Sequence, residues 1–198
     1  MIESIKSIQL DIMLIISGLC LATAVFMTFS KTLDKERKVF LVLSNILAVL
    51  LLVFDRYAYI YRGDISETGF WMVRISNFVV FIMTLMIDWS FNHYVIDIIM
   101  DETDVKKVPF RLKIIDYLIT IGIVLVIISQ FTGLYYTFDE TNHYQRAPGF
   151  LIGAIIPVIV LLTQLTVGVQ YRKRIGSGFL ISLILFTTLP IVATLLQL

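Results

Sequence analysis

The chain has 198 residues, of which 58% are hydrophobic and only 16% charged, with a mean hydropathy of +0.89. That balance excludes an ordinary soluble domain and points to a membrane protein. The net charge of +1 says little in sum, so the placement of the charges carries the information.

Four long windows contain no Asp, Glu, Lys or Arg: Ile12 to Phe29, Tyr117 to Phe138, Ala147 to Tyr171 and Ile175 to Leu198. Each approaches or exceeds the roughly 20 apolar residues that a helix needs to cross a hydrocarbon core of about 30 Å. Two further apolar segments are interrupted, Val39 to Phe54 by the following Asp55 and Arg56, and Phe70 to Met100 by Arg74, Asp88 and Asp97. The fold class read from this is all-α, a polytopic bundle of six transmembrane helices at about residues 8–29, 38–61, 70–100, 112–136, 149–172 and 177–198, forming one domain. An outer-membrane barrel is excluded because its strands are short and alternate polar with apolar residues. The first segment lacks a credible cleavage site and reads as a retained helix. Cys20, the only cysteine, lies inside it and reads as a packing residue, with no disulfide or thiolate metal cluster to join.

Basic residues set an orientation. Lys31, Lys35, Arg37 and Lys38 follow helix one, Lys106, Lys107, Arg111 and Lys113 follow helix three, and Arg172, Lys173 and Arg174 follow helix five. The opposite connections hold only Arg62, Arg146 and the tail residue Lys6. Such a bias places the rich loops in the cytoplasm and the N-terminus outside a cytoplasmic (inner) membrane. Six crossings then bring Leu198 to the outer face, and a seventh helix would return the chain to the cytoplasm. The expectation is therefore the front of a longer, seven-helix polypeptide, with a complete six-helix protein as the alternative.

In helix three, Arg74, Asn77, Phe81, Thr84, Asp88 and Asn92 recur at steps of three and four, which puts one polar stripe on one face. Intramembrane ionisable groups are costly and face the bundle interior or a wet cavity. Asp88 reads as a packing carboxyl hydrogen-bonded to neighbours or as part of a proton or cation relay; no second deep carboxylate is identified for a relay. Asn45, midway along helix two, is a hydrogen-bond partner expected for the stripe. Asp55 and Arg74 lie at similar depth on consecutive antiparallel helices and are expected to be able to pair. Asp55, Arg56 and Tyr57 spell the receptor triplet Asp-Arg-Tyr, but at the wrong end of the wrong helix. Tyr57, Tyr59, Tyr61, Phe70 and Trp71 form an interfacial aromatic belt.

The connection "YYTFDETNHYQRAPGF", Tyr135 to Phe150, is richer than solubility requires. With the outer ends of helices two and three it either forms a structured cap or closes a pocket. In the second case the candidate ligand-binding residues are Arg56, Tyr59, Arg74, Asn77, His143, Tyr144 and Arg146, where the arginines would attract an anion. No catalytic residue, metal site or cofactor site is read: His93 and His143 lie on opposite sides, and no phosphate loop or nucleophile elbow occurs. Pro157 and Pro190 can kink helices five and six.

"VRISNFVVF" at Val73 to Phe81, "NHYQRAPGF" at Asn142 to Phe150, "YRKR" at Tyr171 to Arg174 and "LPIVATLLQ" at Leu189 to Gln197 resemble the N-terminal membrane regions of Firmicutes signalling proteins. Those regions resemble seven-helix sensory modules that precede cytoplasmic GGDEF-type diguanylate cyclase or histidine kinase domains. The resemblance implies a signal-input module acting on a cytoplasmic output domain in cis. No enzymatic activity falls to these residues themselves. The implied partners are the bilayer, an extracytoplasmic or membrane-borne ligand and a second copy as a homodimer, with no nucleic acid. A small transporter or channel subunit, using Arg74, Asn77, Asp88 and Asn92 as its path, is the competing reading.

Overall fold

The computed structural model describes residues 2–103 and 105–197, with side chains for 7–103 and 105–192. Six helices follow one another: α1 Ile2–Phe29, α2 Lys35–Ile60, α3 Glu67–Glu102, α4 Phe110–Thr132, α5 Phe150–Tyr171 and α6 Ser177–Gln197. Between α4 and α5 lies a short antiparallel hairpin, β1 Tyr136–Phe138 with β2 Tyr144–Arg146, in which Thr137 faces Gln145. Five helices are long and apolar enough to cross a membrane, while the described apolar stretch of α6, Ser177–Val192, is shorter. The chain is a multi-pass membrane protein. Its apolar surface agrees: Leu14, Ile15, Leu19, Phe26 and Phe29 of α1 and Phe131 of α4 all point outward at half exposure or more, as lipid-facing residues do.

The expected helices occur, with three differences. Helix α3 begins earlier, because Ser66 caps it by accepting from the Gly69 backbone N–H at 3.1 Å. At 36 residues it rises about 54 Å and outruns a hydrocarbon core. Helix α4 stops at Thr132 because Gly133, at φ 65°, takes the left-handed conformation that closes a helix C-terminus. Of the residues expected to prolong α4, 133–136, Tyr136 opens β1 instead.

Helix α3 is central. It packs on α2 along one side and on α4 and α5 along the other, while α1 covers α2 and α6 covers α5. The core lies mostly between α3, α4 and α5, where Val95, Ile99, Leu112, Ile115, Ile119, Val160 and Val167 are fully buried. Gly168 lets α6 approach closely, since a Cβ there would run into Leu183. The three connections rich in Lys and Arg gather at one end, where Arg37 of α2 meets Asp97, Asp101 and Glu102 of α3 and the Gly176 N–H bonds Glu102. The hairpin and the α2–α3 turn form the other end.

Candidate functional site

At the hairpin end the helices part around a cavity of about 1090 Å³. Helix α3 supplies Asn77, Val80, Thr84 and Asp88, α2 supplies Leu51, Asp55 and Tyr59, and the turn after α2 supplies Arg62. Gln9 and Met13 of α1, Phe186 and Pro190 of α6 and Tyr144 to Arg146 of β2 complete the wall. The Ser90 hydroxyl bonds the Phe40 carbonyl, which sets the register of this antiparallel pair and places Asp55 near the level of Ile75, toward the hairpin end, about 20 Å along the helices from Asp88.

Below Asp88 the packing closes. Ser90, Asn92, Val95 and Ile99 are buried on α3, and Phe91 stacks on Phe186 of α6 with ring centroids 3.6 Å apart. Tyr94 then meets Phe179 edge to face at 5.8 Å. At the level of Asp88 the wall includes Phe186, so aromatic contacts bound the deep end of the cavity.

Asp88 is 4% exposed and its Oδ2 has no hydrogen-bond partner among the described residues. Its backbone carbonyl accepts from Gln164 Nε2 of α5 at 3.1 Å. Two neighbours each commit one donor to their own helix: Asn77 Nδ2 bonds the Val73 carbonyl at 2.7 Å, and the Thr84 hydroxyl bonds the Val80 carbonyl at 2.9 Å.

The hairpin is held by two side chains. Asp139 Oδ1 accepts from the Thr141 and His143 backbone N–H groups and the Thr141 hydroxyl, and Oδ2 from Gln145. Those bonds, led by the His143 N–H, hold the Asp139 carboxyl at about 2, below the usual carboxylate range. Asn142, buried and left-handed at φ 59°, donates to the Asp64 carbonyl at 2.8 Å and accepts from Arg74 Nη1 at 2.7 Å. Its own carbonyl accepts from the Gly63 N–H at 3.3 Å. Asn142 therefore staples the hairpin to the α2–α3 turn. Tyr144 sits between Tyr136 and Phe138, and burial pushes its phenol up to about 12.

Of the seven residues expected to bind a ligand, Tyr59, Asn77, Tyr144 and Arg146 line this cavity, and Arg56, Arg74 and His143 do not. Arg56 turns toward α1 and donates to the Leu10 carbonyl at 3.4 Å. Arg74 lies against the rings of Phe70 and Phe138, beside a separate recess of about 480 Å³. The ring of His143 covers Gly63, whose positive φ and lack of a Cβ allow that contact. The expected pair of Asp55 and Arg74 does not form: Arg74 is committed to Asn142, and Asp55 has no ion pair among the described residues. Asp55 lines the same cavity as Asp88, but nearer the hairpin end.

The polar stripe divides. Thr84 and Asp88 line the cavity, whereas Asn92 is fully buried toward α4 and donates to the Leu112 carbonyl at 3.0 Å and to Asp116 at 3.2 Å. Asn45 does not join it, because its face of α2 meets α1: Nδ2 bonds the Leu41 carbonyl at 2.9 Å and lies 3.9 Å from Met27 sulfur. Sequence reasoning passed over Gln164, Gln9 and the Arg37 cluster. A glutamine in the otherwise apolar α5 was the available signal for the first. Acidic Asp97, Asp101 and Glu102 at a helix C-terminus, where the dipole disfavours them, signalled a cation for the last. No group of residues suited to a metal ion occurs among those described. No family model matches this chain, and no curated protein and no solved structure matches it.

Proposed function

We propose that this chain is a membrane-embedded signal-input module with six crossings, its N-terminus and hairpin outside the cytoplasmic membrane and its basic loops inside. A ligand entering from outside occupies the cavity and biases the helix arrangement at the basic end. The observation that supports this reading best is the depth of the cavity: its wall reaches Asp88, where Phe186 stacks on Phe91. A conducting pathway needs a continuous polar path, whereas the polar groups below Asp88 are buried and bonded across helix contacts, Ser90 to the Phe40 carbonyl and Asn92 to the Leu112 carbonyl. The cavity also has walls from α2, α3 and α6, whose other ends meet or adjoin the basic loops, so a ligand that fits one arrangement better shifts the rest. The resemblance to sensory modules of signalling proteins agrees with this, and assigns the readout to a cytoplasmic domain on the same polypeptide.

The transporter reading draws on the two carboxyls, Asp55 and Asp88, in one polar cavity. One experiment separates the two. With Cys20 replaced by Ser, spin labels at exposed Lys35 and Ser177 report the distance between α2 and α6 at the basic end. A Thr84→Trp substitution, which fills the cavity from within, should change that distance, while liposomes containing the unsubstituted protein should show no proton or cation flux. An unchanged distance together with flux abolished by Asp88→Asn would replace the sensor with a transporter.

A further inference from the structure

Arg74 lines the recess between α3, α4 and β1, apart from the large cavity, and its charge is unmatched. Both Nη1 hydrogens are used, on the Phe70 carbonyl at 2.9 Å and the Asn142 amide oxygen at 2.7 Å. The Nε hydrogen and the two Nη2 hydrogens have no partner among the described residues, and Arg74 forms no ion pair there. The ring centres of Phe70 and Phe138 lie 3.5 Å and 4.5 Å from the guanidinium carbon, so aromatic faces hold the group in place. A fixed guanidinium with three spare donors is suited to a phosphate.

Depth and shape select the source of that phosphate. On α3 the rise from Arg74 to Asp97, which meets Arg37 at the basic end, is about 35 Å, enough to cross a hydrocarbon core of about 30 Å at a tilt. Arg74 therefore lies at headgroup depth, beside the exposed Trp71. Asn92 bonds the Leu112 carbonyl and Leu85 lies over Gly122, a register that puts Gly133 level with Arg74 and Ser129 level with Phe78. From Arg74 toward the bilayer centre the recess, of about 480 Å³, is walled by Ile75 and Phe78, and Ile75 is open to lipid. Gln130 and the Tyr136 hydroxyl, which also line it, bond each other at 2.9 Å. Water can hydrate Arg74 but gains nothing against Ile75 and Phe78, whereas an anionic head on an apolar chain suits both halves. No carboxylate lines the recess among the described residues, so nothing there answers the ammonium of a zwitterionic headgroup.

We propose that this recess is a site for an anionic phospholipid of the leaflet at the hairpin end, its phosphate on Nε and Nη2 of Arg74 and one acyl chain along Ile75 and Phe78. The inference stands whether or not the large cavity receives a signal. The test uses the full chain with Trp89→Phe, which leaves Trp71 at the recess as the sole tryptophan, in phosphatidylcholine vesicles. Phosphatidylglycerol or phosphatidylcholine brominated near the top of the acyl chain is included at equal mole fraction, and quenching of Trp71 gives their relative affinities. Phosphatidylglycerol should be preferred about fivefold, the size expected from one arginine beside an anionic headgroup. Arg74→Gln should remove the preference. Arg56→Gln, the same charge change on the side of α2 that meets α1, should keep it. So should Asn142→Ala, which releases the hairpin but leaves the guanidinium. Excess inorganic phosphate should not displace the lipid.

Equal quenching by the two lipids, or a preference that survives Arg74→Gln, would overturn the proposal. So would its loss in Arg56→Gln or Asn142→Ala as complete as in Arg74→Gln, since bulk charge or the hairpin would then carry it. Displacement by inorganic phosphate would replace the lipid site with one for a free anion. If Arg74→Gln fails to fold, the preference of the parent protein and its resistance to phosphate still decide.

Discussion

Arg37 should be the strongest electrostatic tie in the molecule, and the structure says how its strength is divided. Its planar fork reaches three acidic residues at the end of α3: Nε to Asp97 at 2.8 Å, Nη2 to Asp101 at 2.5 Å and Nη1 to Glu102 at 3.4 Å. Arg37 and Asp97 are only 15% and 19% exposed, whereas Asp101 is 66% exposed. A charge-assisted bond between partly buried groups contributes about 1.5–3 kcal/mol, while an exposed pair contributes about 0–1 kcal/mol. Arg37→Ala should therefore cost about 2–4 kcal/mol, since it also leaves three neighbouring carboxylates to repel. Arg37→Lys should recover less than about half, because an ammonium is a point charge without the fork. The assay is equilibrium unfolding in mixed micelles, arranged as double-mutant cycles with Asp97→Ala and Asp101→Ala. The Arg37–Asp97 coupling should be about 1.5–2 kcal/mol and the Arg37–Asp101 coupling below about 0.5 kcal/mol. Equal couplings would refute the argument, because burial rather than distance would then not be what divides the energy.

Three further outcomes are expected. Asn142→Ala should loosen the hairpin by about 2–4 kcal/mol, through loss of two side-chain bonds and the strain of a left-handed alanine, while Asn142→Gly relieves the strain alone and should cost less; hydrogen exchange at residues 136–146 checks the order. Asp139, held at about 2, stabilises the hairpin above its unfolded value near 4, and that contribution is lost as pH falls from about 4 to 2. Asp139→Asn should therefore remove the hairpin's acid transition in that window, read by tyrosine fluorescence. Gly168→Leu should force α5 and α6 apart against Leu183 and lower the free energy of unfolding by about 1–3 kcal/mol, the usual cost of overpacking, as read by equilibrium unfolding.

Much of this architecture was legible because membrane helices declare themselves locally. A continuous apolar run of sufficient length must be helical in lipid, since every backbone N–H and C=O has to be satisfied within the segment. The helix positions, the grouping of the basic loops at one end and the inward placing of Asp88 follow from that rule. The hairpin did not, because Tyr135 to Phe138 continue the apolar run of α4, and only Gly133 and the capture of Tyr136 by Phe81 turn the chain aside.

The site was half legible. Side-chain type and depth pointed to Tyr59, Asn77, Tyr144, Arg146, Thr84 and Asp88, all of which share the cavity wall. Depth alone could not say which way a long side chain turns. Arg56 and Arg74 have the same chemistry as Arg62 and Arg146, which do line the cavity, yet they and His143 each lie against a nearer partner: the Leu10 carbonyl, Asn142 and Gly63. Asp55 moved the other way, from an expected ion pair to the cavity wall. Local sequence determines which segments enter the membrane, because burial of apolar surface and backbone satisfaction are properties of a segment. Tertiary structure decides which polar groups meet, because a hydrogen bond is made to whichever neighbour the packing of other helices brings within 3 Å or so.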